Sequence, residues 1–381
     1  MQIVYHIGAH CTDQDALHAS LVKNKAALVQ KQVALPHPGK YRNVIRENLQ
    51  AMARGARPDM SGDELLADII GDKDAKRVIL TNANFICVPN RIFEGGDFYA
   101  LVVEKLQAFG TLFQGHDIEL SLCMRDPGTF IPAAYGKSHG RSFQRFMAGA
   151  APTVVQWSGL IHRIRTVLPS AKVTVWCNED TPFVWPKILR HLIGLEAEDP
   201  INAGYDLIGS LLTEIGSQKM QNYFKANPPN SEKERQRVLA AFLEHYANPE
   251  AVEEEITLPG WTDDLLNRLS DLYDEDVNAI ISRGDVKVIE PALWRPAAQS
   301  HTQGFFIHFQ NSFFFCNIIL VPLAQGDEFA HDFRVIPTAF GLCHDFFLLF
   351  GQILFLGIQT LNTFYELPQF IGGDAIAAVD F

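Results

Sequence analysis

Four short apolar runs punctuate the first 180 residues, and stretches with helical spacing separate them. Residues 2–7, 77–81, 118–124 and 172–177 are rich in Val, Ile, Leu and Tyr. Their length and branching are those of strands buried on both faces. Leu17, Leu21 and Leu28, with Ala16, Val22 and Val29 beside them, mark one face of a first helix. Further helices are expected near 44–53, 62–70, 99–109, 130–135 and 156–167, and another opens at Thr181 and Pro182, a cap followed by a first-turn proline. Strands alternating with helices over the first 195 residues predict an α/β fold, a three-layer sandwich with a parallel sheet between helices. Ligands in such folds bind beyond the carboxyl ends of the strands. The polar residues that fall there are His6, His10, residues 81–84, Arg125, Asp126 and residues 178–180.

The pattern then changes twice. Residues 195–290 read as mostly helical, with helices at 207–215, 231–246 and 262–281 set apart by Pro228, Pro229, Pro249 and Pro259. Residues 286–289 form a last extended segment, so that 1–291 is one α/β domain with a helical C-terminal half. From 292 to 381 the chain is an atypical aromatic tail: the last lysine is Lys287, and sixteen of the 27 phenylalanines lie beyond position 293. The apolar runs at 305–321 and 339–358 are broken by His308, Gln310, Asn311, His344, Asp345 and Gln352. An Asp inside a membrane costs about 2.5–3.5 kcal/mol, and the run at 346–358 is shorter than the roughly 20 residues a span needs. A membrane span is therefore the least favoured reading. The others are a tail packed on the body and a poorly folding end foreign to the domain, as a shifted frame or read-through would make it.

Composition narrows the function. An apolar fraction of 47% with 20% charged residues supports a sizeable core. A net charge of −12 argues against a nucleic-acid binder, which needs a basic face. Six scattered cysteines without a CxxC pair, and an N-terminus that enters a strand without a basic and then apolar leader, lead us to expect a reducing, cytoplasmic setting.

The opening stretch, MQIVYHIGAHCTDQDALHASL, is a strand, a tight turn at Gly8 and Ala9, and the start of a helix. Free N–H groups at such a helix start favour anions. This stretch, together with MRDPGTFIPAAY at 124–135 and LSDLYDEDVNAI at 269–280, resembles the bacterial P-loop sulfotransferases over residues 1 to about 291. The resemblance implies a P-loop-type fold and 3′-phosphoadenosine 5′-phosphosulfate as cosubstrate. It implies transfer of the sulfuryl group to a hydroxyl or amine of a small-molecule or glycan acceptor. It places the 5′-phosphosulfate at Gly8, Ala9 and Thr12, and the 3′-phosphate at Arg125, with Ser138 standing in for the serine that Ala133 or Ala134 replaces.

The chain departs from that pattern where the chemistry is most demanding. The family's loop cation is Cys11, and the residues after Thr12 are Asp13, Gln14 and Asp15. An Asp about 5 Å from a phosphate charge costs roughly 3 kcal/mol at an effective dielectric of 20, against a return of about 0.3–1 kcal/mol from a helix N-terminus. Thr12 and Asp15 also fit a capping box, which would let the protein's own groups satisfy the loop. The family's candidate base, a Glu after the second strand, is missing from Thr81, Asn82, Ala83 and Asn84, which leaves His10 and His6 as candidate proton acceptors. Three readings follow: a sulfotransferase-like enzyme, a non-catalytic descendant (a pseudoenzyme) used for binding or regulation, and a metal-dependent enzyme through Asp13, Asp15 and Glu179 or Asp180. Residues 178–180 otherwise serve simply to cap a helix.

Overall fold

The computed structural model describes residues 1–12, 16–71, 74–252, 256 and 258–292. The aromatic tail, and the Asp13–Asp15 half of the expected capping box, lie outside them. Six strands, β1 (Gln2–His6), β2 (Val33–Ala34), β3 (Arg77–Thr81), β4 (Asp117–Met124), β5 (Lys172–Cys177) and β6 (Lys287–Val288), form one sheet in the order β2-β3-β1-β4-β5-β6. Every pairing is parallel. The expected α/β class with a parallel sheet is therefore observed.

Register explains why the strands read as unbroken apolar runs. Tyr5 pairs with Leu80 on one side and Leu120 on the other, and Val4 pairs with Ile79. Successive side chains point to opposite faces, and both faces are covered. Tyr5, Leu80, Leu120 and Val175 face a core built by α3 (Pro38–Ala53), α4 (Gly62–Ile70), α5 (Val102–Leu112), α6 (Pro127–Gly136), α7 (Phe143–Met147), α8 (Trp157–Val167) and α14 (Asp263–Arg283). Val4, Ile79, Cys123 and Trp176 face α1 (Ala16–Val22), α2 (Lys25–Gln30) and α9 (Thr181–Ile193). Each fully buried Leu, Ile or Val contributes about 1.5–3 kcal/mol, so this double coverage holds the strand ends in place.

The remaining helices, α10 (Asp206–Leu211), α11 (Glu214–Ala226), α12 (Glu232–Tyr246) and α13 (Pro249–Val252), follow α9. Ile208, Met220, Leu239 and Phe242 form a third cluster, joined to α9 through Phe183. Three expectations need correction. The first helix, expected to carry Leu17, Leu21 and Leu28 on one face, is two: α1 ends at Val22 and α2 begins at Lys25. The helix expected at 44–53 starts at Pro38, because His37 caps it through Nδ1, which accepts from the Gly39 N–H, and Pro38 suits the first turn. The helix expected at 207–215 stops at Leu211, and Thr213 caps a new one by accepting from the Gly216 N–H at 3.2 Å. Among the described residues no helix is long and apolar enough to cross a membrane.

Candidate functional site

The chain builds β2 and β3 on one side of β1, then crosses to β4 on the other. The carboxyl end of β1 is therefore the point at which the winding reverses, where open α/β sheets bind ligands. The loop at residues 7–12 leaves the sheet there. It does not detach at once: Ile7 N donates to Ser121 O, Ala9 N to Cys123 O and Cys123 N to Gly8 O, which extends the ladder along β4. Gly8 has φ +104°, and a Cβ there would stand 3.2 Å from Ala83 Cα, so the turn requires glycine. Thr12 Oγ1 donates to Ala9 O at 2.9 Å.

His10 sits inside this loop, buried, with both ring nitrogens engaged. Nε2 lies 3.0 Å from Asn84 Oδ1 and 3.1 Å from Cys87 O. The Cys87 carbonyl only accepts, so Nε2 carries the proton and Nδ1 accepts from the Tyr99 hydroxyl at 2.7 Å. The Tyr99 oxygen in turn accepts from the His10 backbone N–H at 3.2 Å. Burial lowers the His10 pKa to about 4, although the Asn84 and Cys87 bonds pull the other way. Arg163 fixes this arrangement from behind by donating to the carbonyls of Phe98 and Tyr99. His6 is also buried: Nδ1 is 3.0 Å from Thr81 Oγ1, and the ring stacks on Trp176 with centroids 5.7 Å apart.

Arg125 follows β4 and reaches into the loop. Its Nη1 donates to Cys11 O at 2.5 Å and its Nε to Thr129 Oγ1 at 3.0 Å. The structure thus brings Arg125 together with Cys11, next to Thr12. Ser138 lies just past α6, where both its Oγ and its N–H donate to Tyr135 O at 2.7 and 2.8 Å.

A buried carboxylate cluster lies beside Arg125. Asp126 caps α6 by accepting from the Gly128 N–H at 2.6 Å, and its other oxygen accepts from Ser270 Oγ at 2.6 Å. Glu179, after β5, accepts from the Asp126 N–H at 2.9 Å and from the Tyr273 hydroxyl at 3.0 Å. Burial raises the Glu179 pKa to about 7; the hydrogen bond from the Asp126 N–H pulls it down and the Asp126 carboxylate pushes it up. Burial also raises Asp126 and Tyr273. The cluster ties α14 to the ends of β4 and β5. Among the described residues no group of three or more His, Cys, Asp and Glu is placed to hold a metal ion; Asp13 and Asp15 lie outside those residues.

A cavity of about 480 Å³ opens at this end of the sheet between α1 and the start of α3, lined by His18, His37, Arg42 and Asn43. Arg42 Nε donates to Thr81 O at 3.0 Å, which anchors the cavity wall to β3. The sequence did not single out His18, His37 or Arg42 as candidates. Neither did it foresee Tyr99 and Tyr273 as partners of His10 and Glu179, which lie 89 and 94 residues away. Compared with known proteins, the chain matches no family model, no curated protein and no solved structure.

Proposed function

We propose that this chain is a sulfotransferase-like α/β protein that has kept the scaffold and closed the sulfonucleotide loop on itself, so that it acts as a non-catalytic binding module. One observation carries the reading. Among the described residues, several of the groups that would grip the 5′-phosphosulfate and 3′-phosphate have protein acceptors: Ala9 N has Cys123 O, His10 N has the Tyr99 hydroxyl, Thr12 Oγ1 has Ala9 O, and Arg125 has Cys11 O and Thr129 Oγ1. His10 carries its proton on the nitrogen that faces carbonyl oxygens, and its other nitrogen already accepts from Tyr99. Such an imidazole cannot take a proton from an acceptor hydroxyl without first breaking that bond. As they stand, the described residues do not fit 3′-phosphoadenosine 5′-phosphosulfate. The candidate binding surface at this end of the sheet is the cavity lined by His18, His37, Arg42 and Asn43, whose volume of about 480 Å³ is in the range of small-molecule sites.

The runner-up is an active sulfotransferase. It is favoured by the strand order, which sets the Gly8, Ala9 and Thr12 loop and Arg125 side by side at the switch point, with His6 next to the loop. Calorimetric titration with adenosine 3′,5′-bisphosphate separates the two. The binding-module reading expects no saturable heat up to millimolar nucleotide. Micromolar binding that is lost in Arg125→Gln would overturn it in favour of the enzyme.

A further inference from the structure

The opposite end of the sheet carries polar structure that the switch-point loop does not use. Gln2 pairs with Arg77, Val4 pairs with Glu119, Glu119 pairs with Lys172, and Lys287 pairs with Thr174, two residues along from Lys172. Because side chains alternate along a strand, Arg77, Gln2, Glu119, Lys172 and Lys287 share the face that α1, α2 and α9 cover. They form a polar row across the amino-terminal edge of five strands. A cavity of about 780 Å³ opens on this row, within the size range of small-molecule sites.

Its charges are unevenly compensated. Glu119 is buried and held by Gln2 Nε2 at 2.8 Å, Arg77 Nη2 at 3.2 Å and His191 Nε2 at 2.9 Å. Arg77 is tied further to Leu192 O and His191 O. Arg165 donates to Ala171 O and faces Asp285 at 3.5 Å, and Asp285 also takes the fork of Arg283. Glu196 is an exposed acid on the rim. Lys172 and Lys287 meet no carboxylate within ion-pair distance among the described residues. Lys287 Nζ instead lies 3.1 Å from His191 Nδ1. An ammonium only donates, so His191 Nδ1 receives it with its lone pair and holds Lys287 at the cavity wall.

We propose that this cavity binds the phosphate group of a small molecule, with Lys172 and Lys287 as its two ammonium donors. The guanidinium forks that best fit a carboxylate are already committed here, to Glu119, to Asp285 and to backbone carbonyls. Two ammonium point charges remain, the arrangement that a phosphate dianion accepts from several directions. The site is separate from the switch-point loop, so it stands or falls independently of the function proposed above.

The test is calorimetric titration of the full chain in low-salt, phosphate-free buffer, with inorganic phosphate in one arm, glycerol 3-phosphate in a second and succinate in a third. Saturable binding of at least one phosphate compound is expected, with succinate much weaker. Tighter binding of the ester would identify an esterified small molecule as the source, and tighter binding of inorganic phosphate the free ion. Lys172→Gln and Lys287→Gln should each weaken binding about fivefold, and the double variant should abolish it with an unchanged circular-dichroism spectrum. Absence of saturable binding in both phosphate arms, undiminished binding by the double variant, or succinate binding as tight as phosphate would each overturn the proposal.

Discussion

Replacing Glu179 by Gln tests the buried carboxylate cluster at the carboxyl ends of β4 and β5. The native pKa of Glu179 is raised from the usual 4.5 to about 7, chiefly by burial. The folded protein therefore binds a proton that the unfolded chain has released between those two values. Stability from this group is fully present below pH 4.5 and is lost as the pH rises through 7. At 1.36 kcal/mol per pH unit, the whole gap amounts to about 3 kcal/mol. Gln reproduces the neutral acid in shape: its Oε1 can accept from the Asp126 N–H, and its amide can donate to the Tyr273 oxygen. Glu179→Gln should thus leave stability at pH 5 nearly unchanged and raise it at pH 8 by up to about 3 kcal/mol relative to the parent. Asp126 is raised in the same direction and contributes a slope of the same sign. Urea unfolding at intervals from pH 5 to 8 measures the difference. Equal destabilisation of the variant at every pH, or identical pH profiles for the two proteins, would refute the reasoning.

Gly8→Ala should destabilise the protein by about 1–3 kcal/mol, since alanine must adopt φ +104° with its Cβ 3.2 Å from Ala83 Cα; a thermal midpoint equal to the parent's would contradict this. The His10 imidazole should stay neutral from pH 8 down to pH 5 and charge only near 4, read from its ring resonances by NMR. Because that native pKa lies below the usual 6.5, His10 should cost the fold stability as the pH falls through 6.5 toward 4. A titration midpoint near 6.5 would show that its burial and hydrogen bonds are not those described.

How much of this was legible in the sequence depended on how local each signal is. β1, β3, β4 and β5 were readable because a strand buried on both faces must be apolar along its whole length. Strand β2 has only two residues, too few to form a pattern. The start of α3 was missed because residues 36–43 are a polar, basic segment, although Pro38 suits a first helical turn once His37 supplies the cap. Helix α11 was missed because Glu214–Ala226 is largely polar and buries only Gly216 and Met220. At the site, the loop, Arg125 and the acids at 178–180 were visible as polar residues at strand ends. Their roles were not, because they depend on partners brought in by topology. Tyr99 decides what His10 can do, and Tyr273 with Asp126 decides what Glu179 is.

The same dependence governs whether the loop can hold a phosphate. At Ala9, His10 and Arg125 an incoming anion would have to displace acceptors that are already in place. Arg125 would exchange Cys11 O for a phosphate oxygen, and His10 N would exchange the Tyr99 hydroxyl. Each exchange gains only the difference between a charged and a neutral acceptor, about 1–2 kcal/mol. Micromolar binding takes about 8 kcal/mol, and the two acids that follow Thr12 in the sequence oppose the anion further. Restoring a phosphate site therefore calls for donors that are not already committed. A lysine in place of Cys11 would add one, whereas turning Arg125 away from Cys11 O would only move one.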